Sequence, residues 1–170
     1  MKAIILILSY ALLFSGCMFT NSNPETSSSM ASDPVETVTI ESTEQQHLLN
    51  ATVYYGNENA DGFKTKTFQV ESLNTSTLVQ KLIEVGVLSE GTEILSEEIV
   101  GTCLHLDFNT AFQTHIGSTG TSGEYLMIGS LVNTFLDNFK DAIESVYITV
   151  NGEILESGHV IYDFELTYHE

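Results

Sequence analysis

Ile128, Leu131, Val132, Phe135, Leu136 and Phe139 recur at the spacing of an α-helix, and a stripe that long has to be buried. Ser130, Asn133, Thr134, Asp137 and Asn138 fall opposite the stripe and are expected to face water. Thr121 and Glu124, three residues apart upstream, fit a capping box at the helix start. A one-sided helix needs a second layer, and the runs around it read as strands.

Two β-rich runs, 52–55 and 66–71, flank the turn-like Asn59-Ala60-Asp61-Gly62. From 75 to 85 the period changes: Leu78, Val79, Leu82 and Ile83 share a face, and Gly86 ends the segment. Runs 93–100 and 102–108 flank Gly101 closely enough for a hairpin, with Leu104, Leu106 and Phe108 pointing to the core. Val146 to Val150 runs into Asn151-Gly152, the strongest short hairpin signal, and on to Leu155. In a last strand Val160, Tyr162, Phe164, Leu166 and Tyr168 alternate with more polar neighbours, at an edge or completing a hairpin. This order predicts an α+β fold, a two-layer sandwich with two helices packed on one face of a mainly antiparallel sheet.

Residues 1–16 have the order of a secretory leader: Lys2, an apolar run, then Ser15-Gly16 before Cys17. The ending Leu13-Phe14-Ser15-Gly16-Cys17 resembles a bacterial lipobox, although Phe14 stands where an aliphatic residue is usual. Acylation of Cys17 would hold the chain at a membrane, on the extracytoplasmic side. Residues 17–48, rich in Ser, Thr, Asn and Glu, cannot form a core and are expected to act as a tether for the domain 49–170.

Charge narrows the partners. Against 23 acidic residues stand five lysines and no arginine, and Lys2, Lys64, Lys66, Lys81 and Lys140 form no stripe in the sequence. Nucleic acid and anionic surfaces are poor partners for such a chain; cations or basic protein surfaces suit it better.

Few residues suggest chemistry. Cys103, His105 and Asp107 alternate along one strand and so share a face, as metal ligands can. They make only a weak ligand row, since zinc needs three or four converging donors and His115 or Glu124 would have to fold back to help. Cys103 and His105 are poorly placed to meet as nucleophile and base. The run Gly117 to Gly123 lacks the lysine of a phosphate loop, and Glu97 with Glu98 face opposite sides of a strand. Neither a catalytic set nor a cofactor is expected.

Val53-Tyr54-Tyr55, Leu104-His105-Leu106-Asp107-Phe108-Asn109, Phe112, Gly123-Glu124, Leu131 to Phe135 and Val146 to Gly152 occur in an order that resembles the GerMN domain of sporulation and germination proteins. The resemblance spans about residues 51–156 and departs from longer members in having one copy and an extra strand from His159 to Tyr168. It implies a non-catalytic, ring-module-like domain outside the cytoplasm of a Gram-positive bacterium, interacting with envelope proteins or with itself. The competing expectation is a lipoprotein that captures a divalent cation or a cell-wall fragment.

Overall fold

The computed structural model describes residues 47–169. The expected leader 1–16, Cys17 and the expected tether as far as residue 46 lie outside the described residues.

The domain opens with a hairpin. β1 (Leu49–Gly56) and β2 (Phe63–Val70) pair antiparallel, from Leu49 opposite Val70 to Gly56 opposite Phe63. Asn57 shapes the turn, its Oδ1 accepting from the backbone N–H of Asn59 at 3.1 Å and of Asp61 at 3.2 Å. The next element, α1 (Thr75–Glu84), is capped by Asn74, whose Oδ1 accepts from Thr77 N–H at 2.8 Å, and it buries Leu78, Val79 and Leu82.

β3 (Ile94–Val100) and β4 (Cys103–Phe108) form a second hairpin around Gly101. β5 (Ser145–Val150) runs parallel to β4, and β6 (Glu153–Glu156) and β7 (Ile161–Tyr162) complete a five-stranded sheet in chain order. A parallel pair needs a long crossover. Here α2 (Thr110–Gly117) and α3 (Thr121–Asn138) supply it.

The architecture is α+β and mainly antiparallel, as expected, but the described residues hold three helices and two sheets. The additional helix, α2, is eight residues long and buries only Phe112 and Ile116, too short a stripe to stand out beside the glycines that follow. The last segment is not a regular strand. Tyr162 and Leu166 are buried while Val160, Phe164 and Tyr168 are exposed, because the chain pairs with β6 at Ile161–Tyr162 and then meets β5 through a single bridge from Leu166 to Val146.

The expected wet face of α3 does not exist. Ser130, Asn133 and Thr134 are fully buried, because α3 packs against β1 as well as β5. Among the described residues β1 has β2 on one edge only, so its other edge needs partners. Asn138 accepts from Thr52 N–H at 3.0 Å and donates to Thr52 C=O at 2.6 Å, while Thr134 Oγ1 accepts from Tyr54 N–H at 3.0 Å. Asn133 grips the backbone of His169 in the same two-way manner, each bond 2.8 Å. Polar residues spaced like a solvated face are thus the glue between a helix and two backbone edges.

Candidate interaction surface

Cys103, His105 and Asp107 do share the face of β4 away from Leu104, Leu106 and Phe108, and each sits beside its paired residue on β5: Ser145, Tyr147 and Thr149. Burial pushes the Cys103 thiol pKa up, opposed by a hydrogen bond with Ser145 and reinforced by nearby Glu165. The His105 and Tyr147 rings lie 5.2 Å apart. Asp107 Oδ1 accepts from Thr149 Oγ1 at 2.7 Å and from Gly152 N–H at 2.8 Å, tying β4 to the turn after β5. Nor do His115 and Glu124 fold back toward the row: His115 Nε2 is 3.2 Å from Val87 C=O, and Glu124 points into the core. Among the described residues no three His, Cys, Asp or Glu side chains gather as a metal ion would require.

Glu124 does not close a capping box. The N-cap of α3 is Gly120, with no side-chain hydrogen bond. The Glu124 carboxylate, 2% exposed, instead accepts from Ser157 Oγ at 2.5 Å, Tyr162 O–H at 2.5 Å and His159 Nδ1 at 2.9 Å. Burial works to raise its pKa, but the bonds from Ser157, Tyr162 and His159 outweigh it and hold the group below its ordinary 4.5. The same contact acts oppositely on Tyr162, whose hydroxyl pKa is pushed well up by burial and by the adjoining negative charge. Three groups from one short segment thus converge on one carboxylate, which anchors residues 157–162 to α3.

The accessible features lie at the edge of the larger sheet. Among the described residues β3 bonds only to β4, so one side of its backbone has no strand partner there. Leu95, Ile99 and Val100 are 52%, 56% and 52% exposed on it, next to Glu97 and Glu98. Ile99 pairs with Leu104 and so points to the core side, yet the helices stop short of covering it. The uncovered space is a cavity of about 300 Å³ bounded by Leu73, Ile99, Leu104, Phe139 and Ile143, with Glu97 hydrogen-bonded to Thr75 Oγ1 at its rim. An unpaired strand above an apolar cleft can take up an extended segment of another protein.

Residues 52–156 match the family model Germane, described as sporulation and spore germination. The chain belongs to the Germane family. Among solved structures, the tandem GerMN domains of the sporulation protein GerM from Bacillus subtilis are 20% identical, with a TM-score of 0.55 over 72% of this chain. The chain spans less than half of that tandem protein, 46% of its length. The first GerMN domain of the same protein taken alone is 17% identical, with a TM-score of 0.54, and the match covers 70% of this chain and 97% of that one. At these identities the likeness is one of fold. No curated protein matches the chain.

Within the Germane span the motif residues are mostly structural. Asp107 holds Gly152, Asn151 N–H donates to Phe108 C=O at 2.9 Å, and Asn151 Nδ2 donates to Thr110 Oγ1 at 3.0 Å, so the motifs Leu104 to Asn109 and Val146 to Gly152 brace one another across β4 and β5. Sequence reasoning missed the inward role of Glu124; its only trace was a glutamate one turn into a helix whose cap is glycine. It also missed the open β3 edge, for which the run Leu95-Ser96-Glu97-Glu98-Ile99-Val100, apolar at both ends, carries no distinguishing mark.

Proposed function

We propose that this chain is a membrane-anchored, extracytoplasmic Germane module of the sporulation or germination machinery that works by binding protein and performs no reaction. The observation that supports this most is the β3 edge, unpaired among the described residues, with three exposed apolar residues beside an apolar cleft. Monomeric proteins seldom leave such a strand open, because it invites pairing. The leader, Cys17 and the Ser/Thr-rich tether supply a means of attachment, and the lack of arginine disfavours nucleic acid. Capture of a divalent cation by the Cys103, His105 and Asp107 row is the weaker reading, since Cys103 is buried and Asp107 is committed to the β5–β6 turn.

The test is fatty-acid labelling and fractionation of the full chain in its own host, followed by cross-linking from a photoreactive residue placed at Ile99. Label at Cys17, recovery with membranes and a discrete protein adduct are expected. Unlabelled chain in the cytosol, or no adduct at Ile99 at any stage of the life cycle, overturns the proposal.

A further inference from the structure

Ser130 carries a hydroxyl with nothing to bond. It lies midway along α3 with none of its surface exposed, and among the described residues its Oγ has no hydrogen-bond partner. Its neighbours in the buried polar row are committed, Asn133 to the backbone of His169 and Thr134 to β1. A serine inside a helix can satisfy itself on the carbonyl four residues back, and Ser130 does not. A buried hydroxyl left unpaired in a native fold marks a place where a further group belongs. That place is open. Ser130 is the most deeply buried residue lining a cavity of about 310 Å³ between the end of β1, the turn after α1, α2 and the first half of α3.

The lining sets the chemistry of an occupant. None of it is Asp, Glu, Lys or Arg, in a chain with 23 acidic residues and five lysines, so an ion would lose its hydration here and gain no opposite charge. Val85, Val87, Leu126 and Met127 make the wall largely apolar, and the half-buried Tyr55 stands beside them. A purely apolar occupant would leave Ser130 unpaired, so the occupant brings a hydroxyl or amide of its own. His115 Nε2 donates to Val87 C=O at 3.2 Å, which holds the ring in the wall and leaves Nδ1 as an acceptor. On the exposed side Gly123 contributes first-turn backbone of α3, whose cap Gly120 supplies no side-chain bond, so N–H groups there are open to a ligand oxygen. We propose that this cavity binds a neutral sugar unit, its C–H face against Tyr55 and the apolar wall and a ring hydroxyl or acetamido group bonded to Ser130 Oγ. Ligand pockets run from roughly 300 to 1,000 Å³, and a cavity at the small end of that range suits one such ring. The site goes beyond the protein-binding reading and is independent of it, since no residue lines both this cavity and the cleft beside β3.

The test titrates the full chain in detergent with N-acetylglucosamine, read by amide NMR shifts and by thermal unfolding. Saturable shifts centred on Gly56, Gly86, Gly123 and Ser130 in the millimolar range are expected, with a raised melting temperature, since a ligand that binds only the native state stabilises it. Glucosamine and glucuronate, each charged, should bind about tenfold more weakly or worse. Ser130→Ala separates binding from structure: it should weaken the sugar about tenfold yet melt no lower than the natural chain, because the hydroxyl removed had no partner to lose. Tyr55→Ala should also weaken binding, whereas Glu98→Gln, in the β3 cleft, should leave it unchanged. Tighter binding of a soluble tetramer of the same sugar assigns the unit to a glycan strand, and equal binding assigns it to free sugar. No saturable shift with the neutral sugar, charged sugars that bind as well, or a Ser130→Ala chain that binds unchanged or melts markedly lower each overturns the proposal. So does capture of N-acetylalanine amide, a neutral peptide unit, in place of the sugar. Cross-linking from Ile99 is untouched by any of these outcomes, so the protein-binding reading stands or falls separately.

Discussion

Glu124 shows what a single buried carboxylate does when three donors are built around it. Glu124→Gln keeps the volume but leaves donors facing an amide, and urea unfolding should show a loss of about 1–3 kcal/mol. The pH dependence has a definite sign. Because the folded state holds Glu124 below its ordinary 4.5, its contribution is complete above that value and is lost as pH falls through the lowered folded value. Acid titration of stability should therefore be flatter below about pH 4.5 in the Gln variant, all else equal. Tyr162 and Tyr54 are raised, both chiefly by burial, so their contributions are complete below the ordinary 10.0 and fade in strong alkali. Tyr162→Phe should blunt the alkaline loss in the same measurement; an unchanged alkaline limb would remove Tyr162 as its source. Gly152 illustrates a different constraint: at φ 78° after Asn151 at φ 51°, it occupies a left-handed turn. Gly152→Ala should cost about 1–2 kcal/mol in thermal or urea unfolding, the strain of a side chain in that conformation.

The elements of this fold are held together by side chains that substitute for missing strands. β1 would be an open edge if Thr134 and Asn138 did not reach its backbone from α3. Asn138→Ala should leave the half-buried Thr52 N–H and C=O without those partners, lowering stability by about 1–3 kcal/mol. Hydrogen exchange at Thr52 should accelerate more than exchange in β4, and uniform acceleration would speak against a local role. The helix was legible as a helix because Ile128 to Phe139 keep a 3.6-residue spacing. Its surroundings were not, since periodicity distinguishes apolar from polar and does not say whether a polar side chain meets water or a backbone group. α2 escaped notice for a related reason: two buried residues, Phe112 and Ile116, are one helical step and fit several conformations.

As a whole the molecule extends past its family match. The Germane span ends at residue 156, yet Tyr162 and Leu166 are buried in the same core and Ser157, His159 and Tyr162 bond to Glu124. A chain ending at residue 156 loses two buried side chains, about 1.5–3 kcal/mol each, and leaves Glu124 buried without those three donors. It should unfold at markedly lower temperature than the full chain, and equal melting would show the segment to be dispensable. On the proposed anchoring through Cys17, Cys17→Ala should move the protein from the membrane fraction to the medium or the soluble envelope fraction, leaving the thermal unfolding of the domain unchanged.

Local order was readable from residue pattern: the hairpins at Gly101 and Asn151-Gly152 and the helices over 75–84 and around 128–138 rest on neighbours within a few positions, and the α+β class and the Germane resemblance on the order in which such short patterns follow one another. Those signals survive in one dimension because backbone geometry imposes periods of 2 and 3.6 on whatever is half-buried. The inward turn of Glu124, the capture of β1 by α3 and the commitment of Asp107 to Gly152 join residues dozens of positions apart. Each depends on which surfaces of the folded chain come to lie against one another, and burial converts a polar side chain from a solvated group into one that must find a partner.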